Sequence, residues 1–332
     1  MTDFKTISGR KIKFQTSDLT MSTATEGELF YSDTDSEFKV GIQVKAWSSG
    51  GNINTARNAA AGTGTLTAGL IAGGQSATVA FEDATEEYDG SSWTNGGDLN
   101  TDRKMGTAMG TQTAGIYTGG IKAPANTTTG ETETYDGSSW TEVGDLNTAR
   151  YGLGGAGTST AAVAFGGNEI GGSMQVASEE WAGSSWAEGD NLNTARHYLA
   201  GCGLQTAGLA MGGYTGTAYT GATETYDGTS WTTASGSFNT ARSYGAGCGI
   251  QTAAVFFAGN VPGTSYLTIT ETYDGSSWTE VADLATGRYG LAGAGTQAAG
   301  LAIAGRVSGG SVTTGAEEFT GEYAAAATVA SS

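Results

Sequence analysis

The sequence is poor in cysteine, histidine and long apolar runs, and each shortage excludes a class of protein. Two cysteines and a single histidine, His197, stand among 332 residues. They are too few for a disulfide-stabilised scaffold and for most histidine-based metal sites. A single histidine also argues against a Ser-His-Asp triad. No apolar run approaches the ~20 residues of a membrane-spanning helix. No signal-peptide pattern opens the chain, so we expect neither membrane insertion nor export by a standard secretory route.

Positive charge is also scarce. The chain has 15 lysines and arginines against 33 aspartates and glutamates, a formal net charge of −18. Residues 1–45 are nearly balanced, with 6 basic and 7 acidic side chains, whereas residues 46–332 hold 9 basic and 26 acidic ones. Such a surface repels phosphate backbones and anionic lipid. Nucleic acid and membranes are therefore excluded as expected partners.

Glycine, in contrast, is abundant, with 56 residues, and it occupies fixed places in a repeat. The repeated unit is ETYDGSSWTEVGDLNTAR, from Glu133 to Arg150, with truncated copies at residues 46–57 and 317–321. Its last residue recurs at steps of 46 or 47, at Arg57, Arg103, Arg150, Arg196, Arg242 and Arg288. A period of this length indicates an array, a propeller or a solenoid.

One cycle, residues 151–196, predicts four short strands. Residues 151–158 are rich in glycine and alanine, residues 161–165 are apolar, residues 178–181 end in an aromatic side chain, and a fourth strand carries Trp186. The small residues of the first strand predict an innermost position beside a channel, with the tryptophan strand outermost. In other cycles the last turn reads Asp-Gly, which predicts two-residue hairpins at Asp89-Gly90, Asp136-Gly137, Asp227-Gly228 and Asp274-Gly275.

Six motif arginines predict six such units, each one blade of a propeller. The series begins with only a fourth strand, residues 43–49, and ends after a third strand, residues 316–321. Pairing these two ends completes a sixth blade and removes the open sheet edge. The sequence therefore predicts an all-β fold, with a closed six-bladed β-propeller at residues 41–322 and a tail at residues 323–332.

Residues 1–40 do not match the repeat and predict a short β extension. Residues 11–14 and 28–31 alternate like strands, and residues 32–36 predict a turn. So short a segment cannot bury a core of its own. We expect it to pack on the propeller, on copies of itself or on another protein.

The repeat resembles kelch repeats over residues 44–321. The resemblance rests on the third-strand aromatic, the tryptophan, the arginine and a double glycine that ends the second strand, at Gly73-Gly74, Gly119-Gly120, Gly166-Gly167 and Gly212-Gly213. Two cycles carry Gly259-Asn260 and Gly305-Arg306 instead, so we expect their turns to differ. The repeat is also similar to propeller proteins of marine bacteriophages. Residues 26–42 resemble short segments of phage tail-fibre and other virion proteins.

Each motif arginine is matched by a glutamate two residues before the third-strand aromatic, at Glu86, Glu133, Glu179, Glu224, Glu271 and Glu317. These charges could form a ring that binds a ligand at the channel. We favour a repeated Arg–Glu or Arg–backbone contact that joins neighbouring blades, because structural roles repeat whereas binding sites usually break the symmetry. Cys202 and Cys248, 46 residues apart, are interpreted as small buried residues, with a bond between blades as the alternative.

No catalytic, metal or cofactor site is predicted. The Asp-Gly turns lack the several oxygens in close sequence that calcium sites use. Some kelch propellers are oxidases with a copper site built from tyrosines and histidines, which one histidine cannot supply. We therefore expect a protein that is not an enzyme and that has no cofactor.

The cycles differ most in the loop between the second and third strands. The candidate ligand-binding residues are the unpatterned side chains of these loops: Lys122, Tyr214, Tyr219, Tyr266 and Arg306. Loops on a rigid scaffold often carry binding, and tyrosine among small polar residues suits adaptable contacts. The alternative is that these loops vary because they have no function.

The expected function is that of a bacteriophage virion protein made in the host cytoplasm. Residues 1–40 would bind other virion proteins or form a homo-oligomer, a trimer if the resemblance to tail fibres holds. The propeller would bind a glycan or protein on the host surface, or decorate the particle. One alternative is a cytoplasmic kelch-type adaptor that binds a protein partner. Another is a carbohydrate-active enzyme, against which the missing catalytic residues argue.

Overall fold

The chain folds as an all-β protein. The computed structural model describes the backbone of residues 13–15, 29–32, 37–263 and 266–325, and the side chains of residues 45–263 and 266–320. These residues contain no α-helix, only a 3₁₀ turn at Ser308–Gly310. None of their helical segments has the length and apolarity to cross a membrane. One compact unit is Trp47–Phe319, and the described residues outside it belong to a second unit.

Five sets of repeat strands each form a four-stranded antiparallel sheet, and the sixth set lies in a six-stranded sheet. The first strands are rich in glycine and alanine because they approach their neighbours closely: a Cβ added at Gly62 would lie 2.9 Å from the Cβ of Ala292. They are β4 (Ala61–Thr65), β9 (Thr107–Thr111), β15 (Gly154–Gly157), β19 (Ala200–Leu204), β23 (Ala246–Ile250) and β28 (Ala292–Gly295).

The second strands are the apolar runs of each cycle and are buried almost throughout. They are β5 (Ala68–Ala72), β10 (Ala114–Thr118), β16 (Ala162–Phe165), β20 (Ala207–Met211), β24 (Ala253–Phe257) and β29 (Ala299–Ile303). The third strands are β6 (Thr85–Tyr88), β13 (Thr132–Tyr135), β17 (Ser178–Trp181), β21 (Thr223–Tyr226), β25 (Thr270–Tyr273) and β31 (Ala316–Ala325). Five of the third strands end in the predicted aromatic side chain, and the sixth, β31, carries it as Phe319 at its fourth position.

The fourth strands each carry the tryptophan. They are β7 (Trp93–Asn95), β14 (Trp140–Glu142), β18 (Trp186–Glu188), β22 (Trp231–Thr233), β26 (Trp278–Glu280) and, for the sixth sheet, the end of β3 (Glu37–Ser49). The sixth sheet has the order β28-β29-β31-β3, so both ends of the repeat region share it, as the truncated repeats predict. Trp47 of β3 packs with its ring 5.0 Å from that of Phe319 of β31.

Short strands connect the motif arginines to the variable loops. In the second cycle β8 (Arg103–Lys104) pairs with β11 (Ile121–Lys122), which pairs with β12 (Thr127–Thr128). In the sixth cycle β27 (Arg288–Tyr289) pairs with β30 (Arg306–Val307).

The second unit contains β1 (Lys13–Gln15) and β2 (Leu29–Ser32), which pair in parallel, and β2 pairs antiparallel with the beginning of β3. The two predicted strands of the extension are thus present, each displaced by one or two residues. Residues 33–36 of the predicted turn and residues 326–332 of the predicted tail lie outside the described residues.

The Asp-Gly prediction of two-residue hairpins is wrong. Tyr88 pairs directly with Trp93, so residues 89–92 form a four-residue loop. The carboxylate of Asp89 accepts the backbone N–H groups of Ser91 and Ser92, both at 2.8 Å. These bonds lower the pKa of Asp89 to about 2. The carboxylate of Asp89 favours the four-residue loop because it satisfies two N–H groups of that loop.

The expectation that two of the second-strand turns differ is also wrong. The positions equivalent to the double glycine are Ala258-Gly259 and Ala304-Gly305, one residue earlier than the sequence comparison placed them. Ala258 and Ala304 adopt φ of 61° and 60°, close to the 67° of Gly73. Alanine can occupy this left-handed conformation at a cost of about 1–2 kcal/mol, so the turn is kept.

Neighbouring sheets are joined by side-chain hydrogen bonds that repeat. The indole N–H of Trp186 donates to the hydroxyl of Thr132 in the preceding sheet at 3.0 Å, and Trp140 donates likewise to Thr85 at 2.9 Å. The sixth sheet has Ala316 at the hydroxyl position, and Trp93 donates to the carbonyl of Gly51 instead, at 2.7 Å. These bonds satisfy each buried indole.

Candidate functional site

The six motif arginines pair with the six glutamates that follow them in the chain. The nitrogen–oxygen distances are 3.0 Å for Arg57–Glu86, 2.7 Å for Arg103–Glu133, 3.1 Å for Arg150–Glu179 and 2.9 Å for Arg196–Glu224. Arg242 pairs with Glu271 and Arg288 with Glu317. The Arg196–Glu224 pair is close but does not have hydrogen-bond geometry.

Each pair anchors the connection between two sheets. Glu86 also accepts the backbone N–H groups of Asn54 and Thr55, at 2.5 and 3.2 Å, and Arg57 donates to the carbonyl of Ala84 at 3.0 Å. Burial lowers the pKa of Arg57, and Glu86 opposes that shift. The arginine is 0% exposed, so a ligand cannot reach it. These pairs therefore belong to the frame of the molecule.

Just after the arginines, two circles of backbone hydrogen bonds run through all six cycles. In one circle the N–H of the second residue after each arginine donates to the equivalent carbonyl of the preceding cycle, at 2.7–2.9 Å. The circle closes where Ala59 donates to Gly290. In the other circle, the glycine two residues after each second strand donates its N–H to the carbonyl of the next motif arginine. Gly305 closes this circle by donating to Arg57 at 2.9 Å.

The residues of the first circle all adopt a left-handed backbone conformation, with φ of 53–63°. Glycine occupies this position in two cycles, as Gly152 and Gly290, but Tyr198 and Tyr244 occupy it in two others. Large side chains in this conformation cost energy, and such strain concentrates at functional sites.

The first residue after each arginine pairs across with the variable loop. These six cross-strand pairs are Asn58–Gln75, Lys104–Ile121, Tyr151–Asn168, His197–Tyr214, Ser243–Asn260 and Tyr289–Arg306. The backbone arrangement is constant, but no two pairs have the same combination of side chains. We call this set the mouth pairs.

Four of the mouth pairs line a cavity of about 430 Å³, which we call the mouth cavity. Its polar side chains include Asn58, Gln75, His197, Ser243 and Asn260. Its volume falls in the range of small-molecule sites, roughly 300–1,000 Å³. No acidic residue is among its lining residues.

Tyrosines form an aromatic wall of the mouth cavity. The rings of Tyr198 and Tyr244 lie 4.0 Å apart, and Tyr244 lies 5.6 Å from Tyr289. Tyr214 and Tyr219, 5.2 Å apart, complete the wall from the variable loop of the fourth cycle. All five residues are half-buried.

Three polar atoms of the mouth cavity are buried without a hydrogen-bond partner among the described residues: Oδ1 of Asn58, Nδ1 of His197 and Nε of Arg306. Asn58 is 5% exposed and His197 is 8% exposed. Burial lowers the pKa of His197 to about 4, so its ring is neutral at pH 7. Unpaired buried polar atoms are costly.

Two cationic side chains, Lys104 and Arg306, lie at the mouth cavity. Lys104 donates to Oε1 of Gln75 at 2.7 Å and lies over the ring of Phe81. Burial lowers the pKa of Lys104, and the charge of Arg306 lowers it further. Within 4.0 Å, the cation–carboxylate pairs of the described residues include neither Lys104 nor Arg306.

The five predicted ligand-binding residues are placed differently. Tyr214, Tyr219 and Arg306 line the mouth cavity. Tyr266 packs behind it, with its ring 5.6 Å from that of Tyr289. Lys122 does not line the cavity, and its ammonium group pairs with the carboxylate of Glu131.

Sequence comparison overlooked the residues between the motif arginine and the first strand. The two positions after the arginine read NA, KM, YG, HY, SY and YG in the six cycles. They are variable positions inside a constant segment, which is the signal that could have identified them. They supply His197, Tyr198, Tyr244 and Tyr289 to the cavity.

The first strands line a separate, smaller cavity of about 130 Å³ that includes Cys202 and Cys248. Both thiols are free and buried. Burial raises the pKa of Cys202 to about 12 and that of Cys248 further. The alternative of a bond between them is thus not realised.

Within the described part of the chain, no group of three or more histidine, cysteine, aspartate or glutamate side chains is arranged to hold a metal ion. No protein-family model matches this chain, and no curated protein shows significant similarity to it.

Proposed function

We propose that residues 47–319 form a closed six-bladed β-propeller of kelch-like type. The first strand of each sheet contacts that of the next, from β4 through β9, β15, β19 and β23 to β28, and β28 contacts β4. The two circles of backbone hydrogen bonds support the same closure. An open array would leave an unpaired edge at each end.

The proposed activity is non-enzymatic ligand binding at the mouth cavity. The observation that carries it is the contrast between the mouth pairs and the rest of the repeat. Arginine–glutamate pairs and indole bonds recur from cycle to cycle, as structural contacts do. At the mouth pairs the backbone recurs but the side chains differ, and they surround a cavity with unpaired polar atoms.

The proposed setting is a bacteriophage particle, on which the propeller binds a glycan or protein of the host surface or decorates the particle. The phage-like repeat, the resemblance of residues 26–42 to virion proteins and the excess of negative charge support this setting. Residues 1–40 would attach the chain to other virion proteins or assemble it into an oligomer.

Antibody labelling tests the setting. An antibody raised against the pure chain would be applied to purified phage particles and to the particle-free lysate of the same infected culture. We expect the chain in the particles, with gold label on their outer surface. A chain that is absent from particles and co-purifies with a host protein would instead support the cytoplasmic adaptor.

Adsorption of particles to host cells tests the binding site. Particles that carry Tyr289→Ser should assemble normally but adsorb more slowly if the mouth cavity binds the host. Particles that carry Lys122→Gln, which changes a residue outside the cavity, serve as the control. Equal adsorption of both variants and the parent would exclude the mouth cavity from attachment.

A further inference from the structure

The chemistry of the mouth cavity narrows the class of ligand. We propose that it binds a pyranose ring that carries a carboxylate, the chemistry of a uronic acid unit. This inference rests on the proposed function only in that the mouth cavity is the binding site. It does not depend on a virus particle.

The aromatic wall indicates a sugar ring. Tyr198, Tyr244 and Tyr289 form a continuous row with ring centroids 4.0 and 5.6 Å apart. Each of the three residues is partly exposed, and a tyrosine ring offers an apolar face with a polar hydroxyl at its edge. The C–H face of a pyranose can pack on such rings while its hydroxyl groups reach the polar side chains opposite. Two of these tyrosines occupy a strained backbone position. Since that strain costs folding free energy, we infer that the two side chains are kept for a function rather than for stability.

The polar side chains of the mouth cavity suit a ligand that both donates and accepts. Oδ1 of Asn58 is an acceptor without a donor, and Nε of Arg306 is a donor without an acceptor. The neutral ring of His197 can do either at Nδ1. Sugar hydroxyl groups can both donate and accept, whereas a simple anion has no proton to donate to an amide oxygen such as that of Asn58. The cavity volume of about 430 Å³ is also small for a peptide strand and suits one or two sugar units.

The charges indicate a carboxylate on that sugar. Arg306 lines the cavity and Lys104 lies close enough to interact with it. Neither has a carboxylate partner among the described pairs, although the chain has 33 acidic residues. The more distant negative charges of the protein are screened over about 8 Å at physiological salt. The nearby cations therefore dominate the electrostatic potential in the mouth cavity.

Calorimetric titration of the full chain tests the proposal. The probes are the methyl glycosides of glucuronate, galacturonate and mannuronate, each compared with its parent hexose at pH 7. We expect at least one uronate to bind at least tenfold more tightly than its parent hexose. Arg306→Gln should remove that tenfold preference, while Lys122→Gln, an equal loss of charge outside the cavity, should leave it unchanged. Asn58→Asp keeps the side-chain size and adds a negative charge, so it should also weaken uronate binding.

The outcomes separate this inference from the proposed function. Uronates that bind no better than hexoses, or an Arg306→Gln variant that binds like Lys122→Gln, would overturn the uronate assignment. Binding of a poly-glutamate peptide but of no sugar would overturn it too, while the mouth cavity would remain a binding site. Uronate binding by a chain that is absent from particles would uphold the inference and refute the virion setting. Circular dichroism of each variant confirms that a lost signal is not a lost fold.

Discussion

Single backbone positions show how the repeat combines a constant frame with changing chemistry. The second residue after each motif arginine has the same left-handed conformation in every cycle, although its side chain ranges from glycine to tyrosine. The hydrogen-bond circle holds that conformation, because each such residue donates to one neighbour and accepts from the other. A residue in this circle can therefore change its side chain without changing the path of the chain.

At the same scale, the buried ion pairs predict a large loss of stability when one partner is removed. Glu179→Ala leaves Arg150, which is 0% exposed, without its carboxylate, and it also removes the acceptor of the Asn147 N–H. We expect the free energy of unfolding in urea to fall by about 3–5 kcal/mol. The control is Glu188→Ala on the exposed fourth strand, which should change it by less than about 0.5 kcal/mol.

The buried histidine predicts a pH dependence. Because burial lowers the pKa of His197 from 6.5 to about 4, the unfolded chain takes up a proton as the pH falls through 6.5 and the folded chain does so only near 4. Stability from the neutral ring is complete above pH 6.5 and is lost as the pH falls towards 4, by up to about 3 kcal/mol.

Unfolding of the parent and of His197→Gln should be compared at pH 7 and at pH 4.5. Lowering the pH should reduce the free energy of unfolding of the parent more than that of the variant, since glutamine does not titrate. A difference that is the same at both pH values would contradict the depressed pKa.

At the scale of elements, the indole hydrogen bonds between sheets repeat with one exception, which follows from a single change of side chain. Five tryptophans donate to a hydroxyl on the third strand of the preceding sheet, and these are Trp47, Trp140, Trp186, Trp231 and Trp278. In the sixth sheet, which combines strands from both ends of the repeat region, alanine replaces the hydroxyl residue. Trp93 then uses a backbone carbonyl, so the indole is still satisfied.

The hydroxyl acceptors make a specific prediction. Thr132→Val keeps the shape of the side chain but leaves the indole N–H of Trp186, which donates to it at 3.0 Å, buried without a partner. We expect a loss of about 1–3 kcal/mol. Thr141→Val, on an exposed position of β14, is the matched control, and an equal effect of the two substitutions in urea unfolding would show that the bond does not matter.

At the scale of the whole molecule, the sixth sheet is the point on which ring closure depends. A chain that ends at Gly315 lacks β31 and with it the third strand of that sheet. If the ring is closed as proposed, this chain should lose cooperative unfolding and the near-ultraviolet signal of its tryptophans. A chain that ends at Ala325 retains β31 and should unfold like the full chain. Two similar unfolding curves would argue against closure.

Assembly is tested by the mass in solution of the full chain and of a chain that begins at Gly41. An oligomer that becomes a monomer on truncation would show that residues 1–40 assemble the protein, as the virion hypothesis expects. Two monomers would leave those residues as a docking segment for another protein. Two oligomers of equal size would show that assembly does not need residues 1–40.

The amino-acid sequence by itself determined the repeat, the strand types and the pairing of the two chain ends in one sheet. These follow from local periodicity, from side-chain size in the first strand and from aromatic positions in the third and fourth, all of which are visible along the chain. The arginines and glutamates were also found together, because a structural contact repeats wherever the repeat does.

Only the tertiary structure decided which variable residues meet. Tyr214 and Arg306 are 92 residues apart in sequence yet line one cavity, whereas Lys122, in an equivalent loop, does not. His197 and the tyrosines next to the first strands were passed over because their neighbours lie in other cycles. Sequence periodicity shows what every cycle shares, but the arrangement of the cycles in space determines which of their differences form a site.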